Sequence, residues 1–231
     1  MGQVITIQTD VFWIVVITAV LCAFCVMCGN AIKKSEVMEK PKGLTNFALM
    51  IVEMVDNMVV GNTNKERAKT LAPYIMALSM YLLVCNWFGL TGFSTPTGNY
   101  SVTLSLAFIT FVLKEREALK TNGVGAYIHG YFEPIFPFVI PNFFGVIAPL
   151  ISMSLRLFGN LLSGTIIMTL LYAFTGWISS FVPVIGNFNF VGPILAPALH
   201  AYFDLFSGFI QMFIFISLTQ VFISNNLPSE D

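Results

Sequence analysis

Between Pro134 and Ser229 only two side chains carry full charge at neutral pH, Arg156 and Asp204. So long a stretch with so little charge cannot supply the polar surface of a water-soluble domain. The whole 231-residue chain agrees, with 56% hydrophobic and 10% charged residues and a mean hydropathy of +0.81. A soluble domain carries about 25% charge, so the composition specifies a polytopic membrane protein. A net charge of −1 with no basic patch argues against nucleic acid as a partner.

A spanning helix needs about 20 mostly apolar residues. Five segments qualify, 11–31, 71–92, 101–119, 136–178 and 190–224. They predict an all-α integral membrane protein, with residues 1–231 forming a single membrane domain. Residues 44–62 are too polar to span comfortably. Phe47, Met50, Ile51, Met54, Val55 and Met58 recur at helical spacing, while Glu53 and Asp56 lie elsewhere on the wheel. That pattern predicts an amphipathic helix lying at the interface.

Basic residues orient the spans. Lys33, Lys34, Lys40 and Lys42 follow the first, Lys65, Arg67 and Lys69 precede the second, and Lys114, Arg116 and Lys120 close the third. The connections 93–100 and 179–189 carry no charge. The positive-inside rule then places the N-terminus outside and the C-terminus inside. The opening "MGQVITIQTD" lacks the basic region of a cleavable signal peptide. Gly2 and Thr6 fit a myristoylation pattern, but a charge-poor N-terminus ahead of a span is expected outside, away from that modification. Cys22, Cys25 and Cys28 resemble part of an iron–sulfur pattern, yet they lie in an uninterrupted apolar run with no matching fourth ligand nearby. They read as small apolar residues on a helix face, and Cys85 sits in another hydrophobic segment. No cofactor or metal is expected.

The last two segments are too long for an upright crossing. At about 1.5 Å per residue they run roughly 50–60 Å, against a hydrocarbon core of about 30 Å. Pro141 and Pro149 fall early in the fourth segment, and Pro193 and Pro197 at the start of the fifth. Both segments are expected to tilt strongly or to lie partly along the membrane plane.

An arginine at mid-membrane costs about 2.5–3.5 kcal/mol on insertion scales and normally marks an ion path. Asn160 lies one turn past Arg156 on the same face, with Ser163 near the next turn. On the last segment His200 and Asp204 are i, i+4, and Gln211 is seven residues beyond Asp204. Each long helix therefore presents one charge with amides or hydroxyls. A buried Arg156–Asp204 salt bridge is the structural alternative, although such pairs rarely improve on apolar packing. His200 alone also fits a packed or interfacial role, and Gln211 a plain interhelical contact.

The stretch "SMSLRLFGNLLSG" resembles the signature of subunit a of the bacterial-type F-type ATP synthase, Ser-x-x-Leu-Arg-Leu-Phe-Gly-Asn-x-x-small-Gly. The segment "LHAYFDLFSGFIQMFIFISLTQVFIS" is similar to that family's final helix, including its glutamine, and "CNWFGLTGFSTPTGNYSVTLSLAF" to its Pro-Thr-x-Asn-x-x-x-Thr lead into a helix. The resemblance implies a stator channel in the bacterial cell membrane, built beside a rotating ring of small c subunits that each carry a membrane-buried carboxylate. Arg156 matches the arginine that faces this carboxylate. Asn142, Asn160, Ser163, Thr165, His200, Asp204 and Gln211 are the implied half-channel lining. Implied partners are the c-ring, peripheral-stalk b subunits, membrane lipid and, indirectly, the soluble F1 sector. The chain itself is then no enzyme, and it holds no G-x-x-x-x-G-K-[ST] loop for a nucleotide.

Two departures bear on the outer half-channel. Where many members have glutamate after the signature's last glycine, this chain has Thr165, and where some have glutamate fourteen residues before the arginine it has Asn142. The missing acid is expected to have moved to Asp204 on the last helix. The coupling ion, proton or sodium, stays open. An ion-coupled secondary transporter is the alternative, although no internal repeat accompanies the lone charges. The orientation is testable. Gln3→Cys and Ser229→Cys, each in a background lacking the native cysteines, are expected to react with an impermeant thiol reagent from opposite sides of the membrane. Reaction of both from one side contradicts an odd number of crossings.

Overall fold

In hydrocarbon a backbone must satisfy its own polar groups, and a long apolar run does so as a helix. The computed structural model describes residues 9–34, 43–63, 65–132, 135–181 and 192–225. Among them are α1 (Thr9–Lys34), α2 (Leu44–Asn62), α3 (Lys65–Trp87), α4 (Tyr100–Gly130), α5 (Val139–Ser179), α6 (Gly192–His200) and α7 (Ser207–Ser224). A π-helical turn, Ala201–Phe206, joins α6 to α7 without a loop. The expectations for Gly2, Thr6, Lys40 and Lys42 and most of the connection 179–189 lie outside the described residues.

Contacts at the helix ends show how the helices run. Asn99, the N-cap of α4, donates from Nδ2 to Asp10 Oδ2 of α1 at 3.1 Å, so α1 and α4 start side by side. Around them Trp13 packs on Phe88 and Phe93, with ring centroids 4.9 and 4.6 Å away. Such an aromatic group suits a membrane–water boundary. Asn86 and Trp87, at the end of α3, meet Gly208 and Leu205 near the start of α7, so these two helices are antiparallel. Tyr100 packs on Phe158 while Asn142 reaches Tyr131, which makes α4 and α5 antiparallel too.

The core gathers around α3. Ile75, Leu78 and Leu82 pack with Val55 and Val59 of α2, Ala107 of α4, Met153 and Leu157 of α5, and Met212, Phe215 and Ile216 of α7. The sidedness of α2 differs from the expected stripe. Ala48, Val55 and Val59 are buried, whereas Phe47, Met50 and Met54 face outward. Small and β-branched side chains let α2 lie close on α3, which leaves the bulkier ones on the far side.

Among the described residues, four helical stretches are long and apolar enough to cross a membrane, 9–33, 68–91, 136–179 and 192–224. The expected crossing 101–119 is not among them. Its helix runs on to Gly130, and Lys114, Glu115, Arg116 and Glu117 interrupt the apolar run. Gly123, at φ 75°, breaks α4 in a region that side chains rarely adopt. The break lets Tyr127 donate its hydroxyl to Glu115, twelve residues earlier. A straight helix would hold those residues about 18 Å apart. Burial and then the bond to Glu115 push the Tyr127 phenol up from its ordinary pKa.

A close joint links α3 to α7. Asn86, 1% exposed, donates from Nδ2 to the Gly208 carbonyl at 3.0 Å. The buried Thr97 hydroxyl donates to Asn86 Oδ1 at 3.3 Å, and Trp87 Nε1 donates to the Leu205 carbonyl at 3.0 Å. A π turn disturbs the ladder of carbonyl acceptors, and here the neighbouring helix supplies donors. A Cβ on Gly208 would lie 3.2 Å from Asn86 Cβ and from Trp87 Cδ1, so glycine permits the approach. Asn86→Ala is expected to destabilise the chain by about 1–3 kcal/mol, because Thr97 and Gly208 lose a partner. Equilibrium unfolding in mixed micelles measures this, and an unchanged midpoint contradicts it.

Candidate functional site

The site grows out of the two faces of α5. Met153, Leu157, Gly164, Met168 and Thr175 form its buried stripe. Gly145, Ala148, Ser152, Arg156 and Ser163 are exposed, with Gly159 half-exposed among them. At 3.6 residues per turn these six positions share one stripe, and all but Arg156 are small. Arg156 makes no hydrogen bond or ion pair with any described residue. The Arg156–Asp204 bridge is not formed.

Asp204 has another partner. It lies half-buried in the π turn, and its Oδ2 is 2.5 Å from His200 Nδ1. The other ring nitrogen of His200, Nε2, lies 3.3 Å from the Tyr172 hydroxyl on α5. Further along the same antiparallel pair, Phe203 packs over Gly164, where a Cβ would meet it at 3.6 Å. Ser207 Oγ then donates to Asn160 Oδ1 at 2.8 Å, one helical turn from Arg156. Tyr172, His200, Asp204, Ser207 and Asn160 therefore line the seam between α5 and the last helix, in order toward Arg156.

The remaining expected residues scatter. Ser163 and Thr165 are exposed, and their hydroxyls donate to the Asn160 and Leu161 carbonyls of their own helix. Gln211 is 6% exposed and so faces inward. A regular helix would keep it on the face of Asp204, but the π turn shifts the register between them. Asn142 is not brought to this seam. Its Nδ2 donates to the Tyr131 carbonyl at 3.1 Å and the Gly130 carbonyl at 3.4 Å, which fastens the end of α4 to the start of α5. Cys22 and Cys25 are exposed on α1 and Cys28 is buried. Among the described residues no group of three or more His, Cys, Asp or Glu could hold a metal ion.

Tyr172 and Ser207 escaped the sequence reading. Ser207 follows Asp204 by three residues, a helical neighbour spacing that marks it in retrospect. Tyr172 is a hydroxyl in an otherwise apolar stretch. Chemically, the seam offers a carboxylate–imidazole–phenol chain able to hold or pass a proton, and it leads toward a fixed positive charge.

The family model described as ATP synthase A chain matches residues 11–224. An ATP synthase subunit a of Priestia megaterium is 28% identical over 237 residues, covering 96% of this chain and 93% of the relative. One from Staphylococcus aureus is 27% identical over 238 residues, covering 96% and 91%. A sodium ion specific subunit a of Propionigenium modestum is 35% identical over 172 residues, covering 67% of this chain and 53% of the relative. A match that spans nearly every described helix and includes the Arg156 stretch shows that the chain belongs to the ATP synthase A chain family, the membrane ion-translocating part of that complex.

Proposed function

We propose that the chain is the stator channel of the membrane sector, with Arg156 facing the carboxylates of a rotating c-ring. The observation that carries this reading is an arginine exposed on an apolar helix, with no partner among the described residues and small residues on either side. In lipid such a charge needs a partner, and small residues let another helix come close. The carboxylate is that partner. Facing Arg156 it is favoured in its ionised form, because an opposite charge nearby lowers a carboxylate's pKa. It releases its proton to one aqueous half-channel, and a carboxylate arriving from the other is protonated before it turns into lipid. The fixed charge of Arg156 blocks direct leakage between the two.

The seam of Tyr172, His200, Asp204, Ser207 and Asn160 serves the outer half-channel. Ser163, on the stripe of Arg156, lines the ring-side approach; Gln211, buried inward, and Thr165, half a turn round α5 from Arg156, lie off it, and Asn142 closes the hairpin at the opposite end of α5. The chain crosses the bacterial cell membrane five times, α4 included, with the N-terminus outside, the C-terminus cytoplasmic and α2 at the inner interface. The antiparallel order of α3, α4, α5 and the last helix supports this count. Peripheral-stalk b subunits hold the chain still against the ring. Each elementary charge that crosses supplies about 2.3 kcal/mol per 100 mV. The family assignment leaves no role for the secondary-transporter alternative.

Arg156→Ala is expected to lower ion-driven ATP synthesis in membrane vesicles by about 100-fold or more while the complex assembles at normal abundance. Arg156→Lys is expected to fail nearly as far, because a compact ammonium lacks the planar fork. Normal rates at normal subunit content contradict the assignment. Asp204→Asn is expected to slow synthesis by about tenfold or more and to shift its pH profile, with abundance unchanged because Arg156 does not depend on it. An unchanged rate and profile remove Asp204 from the path.

A further inference from the structure

A second site lies at the other end of the bundle. Where α3 begins and α4 and α7 run out of apolar sequence, they enclose a cleft of about 460 Å³. Its charged wall is the segment of α4 that interrupts the apolar run. Arg116 is exposed and makes no hydrogen bond or ion pair with a described residue. Lys120, one turn on, shares its ammonium with Glu117 at 3.3 Å. These three groups sum to one positive charge, and the unshared one belongs to Arg116. The lining also includes a hydroxyl, Thr63 Oγ1, which is buried and has no hydrogen-bond partner among the described residues. An unpaired buried hydroxyl is costly. Leu71, Leu113 and Ile223 supply apolar lining.

We infer that this cleft binds the phosphate headgroup of an anionic glycerophospholipid. Arg116 and Lys120 suit a phosphate, since a guanidinium grips its oxygens in a planar fork. A phosphate oxygen also gives Thr63 an acceptor. The apolar lining matches the glycerol and upper acyl chains, which a free phosphate ion lacks. Basic pockets between transmembrane helices on the cytoplasmic side take such headgroups. The orientation proposed above decides only that the inner leaflet supplies the lipid; the site itself does not depend on it.

The test uses the intact complex in phosphatidylcholine vesicles doped with a photoactivatable phosphatidylglycerol, with labelled peptides mapped by mass spectrometry. Labelling is expected on peptides containing 70–74 and 113–120. It should fall about fivefold in Arg116→Gln, the weight of one basic group near an anionic surface, while labelling of α1 holds. Arg116→Lys should keep most of it. Should Arg116→Gln fail to accumulate, Lys120→Gln carries the same expectation. Unlabelled phosphatidylglycerol should compete and inorganic phosphate should not. Labelling indifferent to both substitutions overturns the site, and competition by inorganic phosphate alone overturns the lipid as its source. The readout is lipid labelling rather than ion translocation, so its failure leaves the role of Arg156 untouched.

Discussion

Inside a membrane a polar group without a partner costs several kcal/mol, because no water stands ready to replace the lost bond. The interior of this bundle obeys that constraint through side chains. Asn86, Trp87 and Thr97 supply or receive hydrogen bonds where the last helix departs from α-helical geometry. His200, Asp204 and Tyr172 satisfy one another across the seam with α5. Arg156 stands apart as a full charge with no such partner among the described residues. These two joints close their contacts within the fold, whereas Arg156 is left open to the outside.

The length of α5 follows from the same demand. Its 41 residues extend about 60 Å at 1.5 Å per residue, roughly twice the hydrocarbon thickness. One stripe anchors it to the bundle through Met153, Leu157 and Met168, while the other presents small residues on both sides of Arg156. An upright span has no use for so long an unburied face. The stator role proposed above, in which α5 tracks a curved, moving ring, gives that face a use, and Asp204 in the π turn beside α5 meets His200 at the seam.

Much of this was legible in the residues and some was not. Apolar runs announce helices, and the observed α1, α2 and α5 start and stop within about two or three residues of the expected bounds, the scatter usual for helix ends. The continuation of α4 to Gly130 was hidden because its charged turns mimic a loop and Gly123 breaks the period. The π turn left no mark in composition, so Gln211 was placed with Asp204 and is instead buried inward. The loneliness of Arg156 could be suspected from charge sparsity. That Asp204 pairs with His200 and not with Arg156 required the geometry, since both pairings satisfy the same residue count.

Cross-linking along α5 tests the central claim most directly. In a background without Cys22, Cys25, Cys28 and Cys85, cysteines are placed one at a time at Ser152, Gly159 and Ser163, and at Met153, Leu157 and Met168. Each is paired with a cysteine one turn from the carboxylate of the ring subunit. If Arg156 faces the ring, oxidation links the first set to the ring subunit with helical periodicity and leaves the second set unlinked. Cross-links from Met153 and Leu157, or none from Ser152, Gly159 and Ser163 in a fully assembled complex, would contradict the account.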